Sequence, residues 1–157
     1  MHAPGPLMRL VISHDEMDTR ALGAALAAVA RAGDVLCLSG ELGAGKTQLA
    51  KGFGLGLGVP GPIASPSFVL MSEHVGRLPL FHLDLYRLHD AEEAAEDGLL
   101  DERETAGVTI IEWAERLGAA RPGSRLDISI EGSGDEPRRI QLVAADARHE
   151  RYLAVLP

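Results

Sequence analysis

Residues 40–47 read Gly-Glu-Leu-Gly-Ala-Gly-Lys-Thr, a full match to the spacing G-x-x-x-x-G-K-[ST]. Each residue type has a physical task in that pattern. Glycines let the backbone curl so that successive N–H groups turn inward toward the oxygens of a phosphate. A helix beginning at Lys46 adds its positive end beneath the same oxygens. Lys46 can then reach the β and γ phosphates, and the Thr47 hydroxyl is placed to coordinate Mg²⁺. The residues expected to touch the nucleotide are Glu41, Leu42, Gly43, Ala44, Gly45, Lys46, Thr47 and Gln48.

A phosphate-bound Mg²⁺ also needs protein carboxylates, usually at the end of an apolar strand. Two stretches qualify. Val108-Thr109-Ile110-Ile111-Glu112 is a mostly apolar run that ends in an acid. Leu80 to Tyr86 alternates, so His82, Asp84 and Tyr86 share one face while Phe81, Leu83 and Leu85 share the other. The sequence leaves open which of Asp84 and Glu112 binds the metal and which orients water. With Lys46 they form the expected catalytic set, and Thr47, Glu112 and Asp84 form the expected metal set. Trp113, the only tryptophan, reads by itself as core packing before it reads as part of a site.

The elements that must position these groups follow from periodicity and punctuation. Leu7 to Ile12 predicts a first strand, with Ser13 or Asp15 capping a helix over 16–31 whose Ala-rich face should pack on a sheet. Val35 to Leu38 has the continuous apolar character of a strand covered on both sides. A helix over 46–57 is stopped by Gly58-Val59-Pro60-Gly61-Pro62. Residues 62–67 read as an ordered loop, and 68–74 with 78–86 as a hairpin about Gly76. An acidic helix should begin near Asp90, and 125–131 with 138–143 should form a closing hairpin. The expectation is one α/β domain over 1–157, a P-loop nucleotide-binding fold with a mixed central β-sheet flanked by helices.

The bulk numbers narrow the function classes. A chain of 157 residues can bury one core without disulfides, and Cys37 is the only cysteine. The net charge of −8 argues against a direct grip on nucleic acid, which depends on Lys and Arg neutralising phosphates. No apolar stretch approaches the roughly 20 residues of a membrane span. No long apolar segment follows a basic start, so the expected location is the cytoplasm, with no membrane partner.

Taken together, Gly40–Thr47, Ser65-Pro66-Ser67-Phe68, His82-Leu83-Asp84-Leu85-Tyr86-Arg87-Leu88 and Ile111-Glu112-Trp113 resemble the TsaE (YjeE) family in order and rough spacing. That family is the ATPase component of bacterial tRNA threonylcarbamoyladenosine biosynthesis. The likeness runs from Leu10 to about Val143. It implies ATP or ADP with Mg²⁺ as cofactors, TsaD and TsaB as partner proteins, and tRNA met only through that complex. Glu112 would be the second protein ligand of the metal, Asp84 would bind or activate water, and Trp113 would lie close to the nucleotide. Asp15 and Arg138 would contact the adenine end; taken alone they read as a helix cap and an exposed strand residue. The segment 65–68 would be a switch near the γ-phosphate, with Ser67 where relatives usually carry Thr.

The alternative on the same scaffold is a small-molecule kinase, which needs an arginine-bearing lid, whereas Arg77, Arg87 and Arg103 are scattered. A regulatory GTPase would carry an Asn/Thr-Lys-x-Asp segment, and this chain has none.

Overall fold

The computed structural model describes residues 7–41, 43–61, 71–86 and 106–156. Leu42, the loop expected at 62–67, the switch segment 65–68, the start of the first hairpin strand, Arg87, Arg103 and the acidic helix expected from Asp90 lie outside the described residues.

The strands are β1 (Met8–Ser13), β2 (Val35–Gly40), β3 (Met71–Val75), β4 (Pro79–Asp84), β5 (Val108–Glu112), β6 (Leu126–Glu131) and β7 (Arg138–Ala144). They form one sheet in the order β1-β7-β6-β2-β5-β4-β3. The inner strands β6, β2, β5 and β4 are mutually parallel, while β3, β7 and β1 add antiparallel margins. Every residue of β5 and the first four of β2 are buried, as their continuous apolar runs require of strands covered on both faces. Because the inner strands are parallel, Gly40, Asp84 and Glu112 all come to the same carboxyl edge, where open α/β sheets bind ligands.

Side-chain alternation separates two cores. Leu36, Leu38, Leu80, Val108 and Ile110 point to the helical side, and Val35, Cys37, Phe81, Leu83 and Ile111 to the other. His82, Asp84 and Glu112 share the parity of Leu80 and Ile110, so these three polar side chains face the helices.

Two helices cover that side, α1 (Glu16–Ala27) and α2 (Lys46–Gly56). The expected helix over 16–31 stops at Ala27. Beyond it the chain tightens into i→i−3 bonds, from Ala28 N–H to Ala25, Val29 to Leu26 and Ala30 to Ala27 (3.2–3.3 Å), which prolong the apolar spacing without an α-helix. The Ala-rich helix also packs chiefly on α2 rather than lying flat on the sheet. Glycines make this possible, because a Cβ on Gly52 would overlap the Arg20 carbonyl, one on Gly23 the Leu49 carbonyl, and one on Gly56 would come within 2.8 Å of Ala24 Cα.

Strand ends differ from expectation for local reasons. β2 runs on to Gly40 because Ser39 and Gly40 pair with Ser129 and Ile130 of β6. β4 stops at Asp84, since Leu85 N–H donates to Glu112 O (3.1 Å) and Tyr86 N–H to Asp84 Oδ1 (3.0 Å). Both hairpins form as expected, β3 with β4 and β6 with β7. At the opposite edge of the sheet, the buried Asp34 carboxylate accepts from Arg148 Nε (3.0 Å), the Tyr152 hydroxyl (2.5 Å) and Arg151. These bonds tie the short C-terminal helix α3 (Arg151–Ala154) to the start of β2.

The close α1–α2 contact gives a test of how α2 is seated. Gly52→Ala gains up to about 1 kcal/mol of helix propensity but must push α1 off its partner, an overpacking cost of roughly 1–3 kcal/mol or more. The expected result is a net fall in melting temperature of several degrees, read by thermal denaturation.

Candidate active site

The carboxyl edge holds a cavity of about 520 Å³ between the Gly40–Thr47 loop, the start of α1, the ends of β4 and β5, and the β6–β7 turn. The loop follows β2 directly, and Gly40, Gly43 and Gly45 all take positive φ (144°, 82° and 119°). Open space lies beside Gly43, while a Cβ on Gly40 would press on the Ile130 carbonyl. The two helix starts differ in a way that matters for anions. Asp15 Oδ1 caps α1 by accepting from Asp18 N–H (2.8 Å), whereas Gly45 begins α2 with no side-chain cap. The orphan N–H groups of α2 therefore face the cavity with their partial positive charge unneutralised by a capping side chain.

Lys46 is almost fully buried, at 4% exposed. Its ammonium donates to the carbonyls of Gly40 and Glu41 (3.0 Å to the latter), and its Nζ lies 3.9 Å from the Trp113 ring centroid. Burial pulls this ammonium below the usual lysine range, against the opposing pull of Glu115, Glu112 and Asp84. Trp113 reaches it from a left-handed backbone (φ 61°), the sole non-glycine positive φ among the described residues. A bulky residue held there is strained, and such outliers gather at functional sites. Tyr86 packs on the same indole with ring centroids 5.0 Å apart.

The Thr47 hydroxyl donates to Glu112 Oε1 at 3.0 Å. Glu112 is 2% exposed, and its Oε2 lies 2.5 Å from His82 Nε2. Asp84 stands opposite Glu112 in the β4–β5 register. Its carboxyl is pushed above the usual carboxylate range, first by burial and further by Glu112, with the Tyr86 N–H, His82 and Lys46 pulling the other way. Among the described residues no group of three or more His, Cys, Asp or Glu could hold a metal by itself. A hydroxyl and one or two carboxylates beside an open cavity fit Mg²⁺ nonetheless, since that ion keeps several waters and shares phosphate oxygens instead of filling a protein cage.

The remaining expected residues are placed as follows. Gly43, Ala44, Gly45, Gln48, Asp15 and Arg138 all line the cavity with Lys46, Thr47, Asp84, Glu112 and Trp113. Asp15 does so while serving as a helix cap. Arg138 spends its guanidinium on loop carbonyls, from Nε to Ala44 O (3.0 Å) and from NH2 to Gly134 O (3.0 Å) and Gly43 O (3.4 Å), so it braces the cradle. Glu41 is exposed and contributes its carbonyl. Gln48 accepts from Arg20 Nε at 2.6 Å. Sequence reasoning left out His14, Glu16 and Thr19 at the head of α1 and 134–136 in the last turn, which also line the cavity. It also missed Glu115, whose Oε2 accepts from Gly40 N–H (3.1 Å). None of these carried a signal in the sequence, whereas His82 and Tyr86, also outside the expected site set, did so through their alternation with Asp84. Arg77, weighed as a lid arginine, instead donates to the Ala27 and Ala30 carbonyls (2.8 and 3.2 Å).

Comparison with known proteins converges on one family. The family model described as "Threonylcarbamoyl adenosine biosynthesis protein TsaE" matches residues 13–140. The tRNA threonylcarbamoyladenosine biosynthesis protein TsaE of Bacillus subtilis is 42% identical over 134 residues, 85% of this chain and 84% of that protein. The protein of the same name from Streptomyces coelicolor is 40% identical over 136 residues, covering 82% and 92%. The crystal structure of Bacillus subtilis YdiB superposes with a TM-score of 0.77 at 34% identity, covering 97% of this chain and 95% of that one.

The raised Asp84 carboxyl predicts a pH-dependent stability. The folded state holds this proton more tightly than the unfolded chain, so stability falls as pH rises from about 3.8 through the higher folded value. Asp84→Asn should therefore raise the melting temperature of the nucleotide-free protein at pH 7, by an amount that shrinks as pH falls toward 4. An equal gain at both pH values would contradict this origin.

Proposed function

The chain belongs to the TsaE family of threonylcarbamoyl adenosine biosynthesis proteins, and on that premise we propose that it is a Mg²⁺-dependent ATP hydrolase. It binds ATP and, after turnover, ADP, and serves the complex that modifies tRNA. The observation that carries this reading is the convergence of Thr47 Oγ1 and Glu112 Oε1 at 3.0 Å, beside Lys46, in a glycine-lined cavity of about 520 Å³.

Thr47 and Glu112 would hold Mg²⁺, with Asp84 within the same group. The ion supplies neutralisation of phosphate charge when bound. The residues of this chain do the rest by positioning. The loop N–H groups and the start of α2 grip phosphate oxygens. Lys46 exchanges its carbonyl partners for phosphate oxygens, a substitution of one set of acceptors for a more strongly charged one. Asp84, on the strand beside Glu112, aligns the attacking water. Glu115 and Arg138 hold the loop open from outside by binding its first N–H and its later carbonyls. Trp113 and Tyr86 wall the cavity on the side of Lys46 and exclude bulk water there.

The proposed partners are TsaD- and TsaB-like proteins, with tRNA reached through them. The net charge of −8 supports this division, since a subunit whose partners hold the RNA needs no basic face. No helix among the described residues is long and apolar enough to cross a membrane, and a cytoplasmic place of action accords with a tRNA substrate. The commitment of Arg77 to helix carbonyls weighs against a kinase lid.

Hydrolysis of ATP by the purified chain should be weak and should rise when TsaB and TsaD proteins are added. Rapid phosphate transfer to a small metabolite, indifferent to those proteins, would overturn the reading. Lys46→Ala should lower single-turnover hydrolysis by about 10²–10³-fold with the fold intact by circular dichroism. Asp84→Ala should reduce hydrolysis by more than it reduces ATP affinity; equal losses would leave Asp84 a metal ligand with no part in aligning water.

A further inference from the structure

We infer that His82 is a positioning residue for Glu112, aiming that carboxylate at Thr47 and the metal they would share; the inference rests on the reading of Glu112 as a metal ligand. His82 is 0% exposed and Glu112 2%, and their atoms meet at 2.5 Å. A carboxylate this deeply buried needs a strong donor on each oxygen it turns inward. His82 Nε2 supplies one to Oε2, while Oε1 is the atom that accepts from Thr47. Lys46 cannot take the place of His82, because its ammonium is engaged by the Gly40 and Glu41 carbonyls and the Trp113 face.

The other ring nitrogen strengthens the case. His82 Nδ1 is buried without a hydrogen-bond partner among the described residues. An N–H left unpaired in a core is costlier than an unpaired lone pair, so the hydrogen belongs on Nε2, where it is donated to the carboxylate. An imidazole with one nitrogen orphaned is also an expensive filler for a core position, where an apolar side chain of similar size would carry no such penalty. The position is therefore explained by what Nε2 does. The strands make the bond possible: β4 and β5 are parallel, His82 lies opposite Ile110, and Glu112 is two residues further along the same face. Polar partners behind a metal ligand fix its orientation in this way, and their loss commonly costs 10–100-fold in metal affinity.

The test uses the full chain with ADP and Mn²⁺ as probes. Mn²⁺ binding to the protein–ADP complex is read by electron paramagnetic resonance, and ADP binding in EDTA by calorimetry. His82→Leu should weaken Mn²⁺ by about 10–100-fold while ADP affinity in EDTA changes little. His82→Gln, whose amide N–H reaches the place of Nε2, should recover most of the loss, and the shorter His82→Asn should not. Should the Leu variant fail to fold, the Gln and Asn pair makes the same comparison. Equal losses in Gln and Asn, or a parallel loss of metal-free ADP binding, would overturn the positioning role. Glu112→Gln separates the two levels. If it leaves Mn²⁺ affinity unchanged, the metal role of Glu112 fails and the inference with it. If it weakens Mn²⁺ while His82→Leu does not, only the role of His82 fails.

Discussion

The hydrogen bond from Thr47 to Glu112 is the constraint around which the site is organised. It joins the first turn of a helix to the last residue of a strand that is 65 positions away in sequence. Two things must hold for it to form. β2 and β5 must be adjacent and parallel, so that the loop leaving one faces the end of the other. The first turn of α2 must also lie within reach of the end of β5, and the close glycine contacts between α1 and α2 help to seat that helix. A polar pair in so dry a place would be costly alone, and His82 and the cavity itself complete its surroundings.

The rest of the site reads as support for a loop made of weakly self-supporting backbone. Gly40, Gly43 and Gly45 adopt conformations that make a cradle but offer few contacts of their own. Arg138 takes hold of the loop carbonyls, Glu115 its first N–H, and Lys46 bridges the Gly40 and Glu41 carbonyls. Trp113 reaches Lys46 only by accepting a strained backbone. Local strain is kept where the surrounding structure over-determines it, and here β5 and the turn after it do so.

The far edge shows the complementary design. Asp34, just before β2, is buried against Arg148, Arg151 and Tyr152; burial first, and then the hydrogen bond to Asp34 and its charge, push the tyrosine hydroxyl above its usual range. His149 accepts from Val35 N–H with Nε2 (3.1 Å) and pairs with Asp146 through Nδ1 (2.7 Å). The strand that leads into the glycine-rich loop is thus anchored at one end by polar contacts and left to open onto the cavity at the other.

The glycine-rich loop, the placement of the two candidate acids and the inner strands were legible because their signals are local. A glycine-rich turn between an apolar run and a helix has one dominant physical reading, and alternation along Leu80–Tyr86 reports which side chains share a face. Strand order, the pairing of His82 with Glu112, and the use of Glu115 and Arg138 as braces were not legible. They depend on which strands become neighbours and on contacts between residues up to about a hundred positions apart, as in the 94-residue separation of Arg138 and Ala44. Local patterns determine what each segment can present; only long-range packing decides which presented groups meet, because hydrogen bonds are selective within a few tenths of an ångström and sequence spacing carries no such precision.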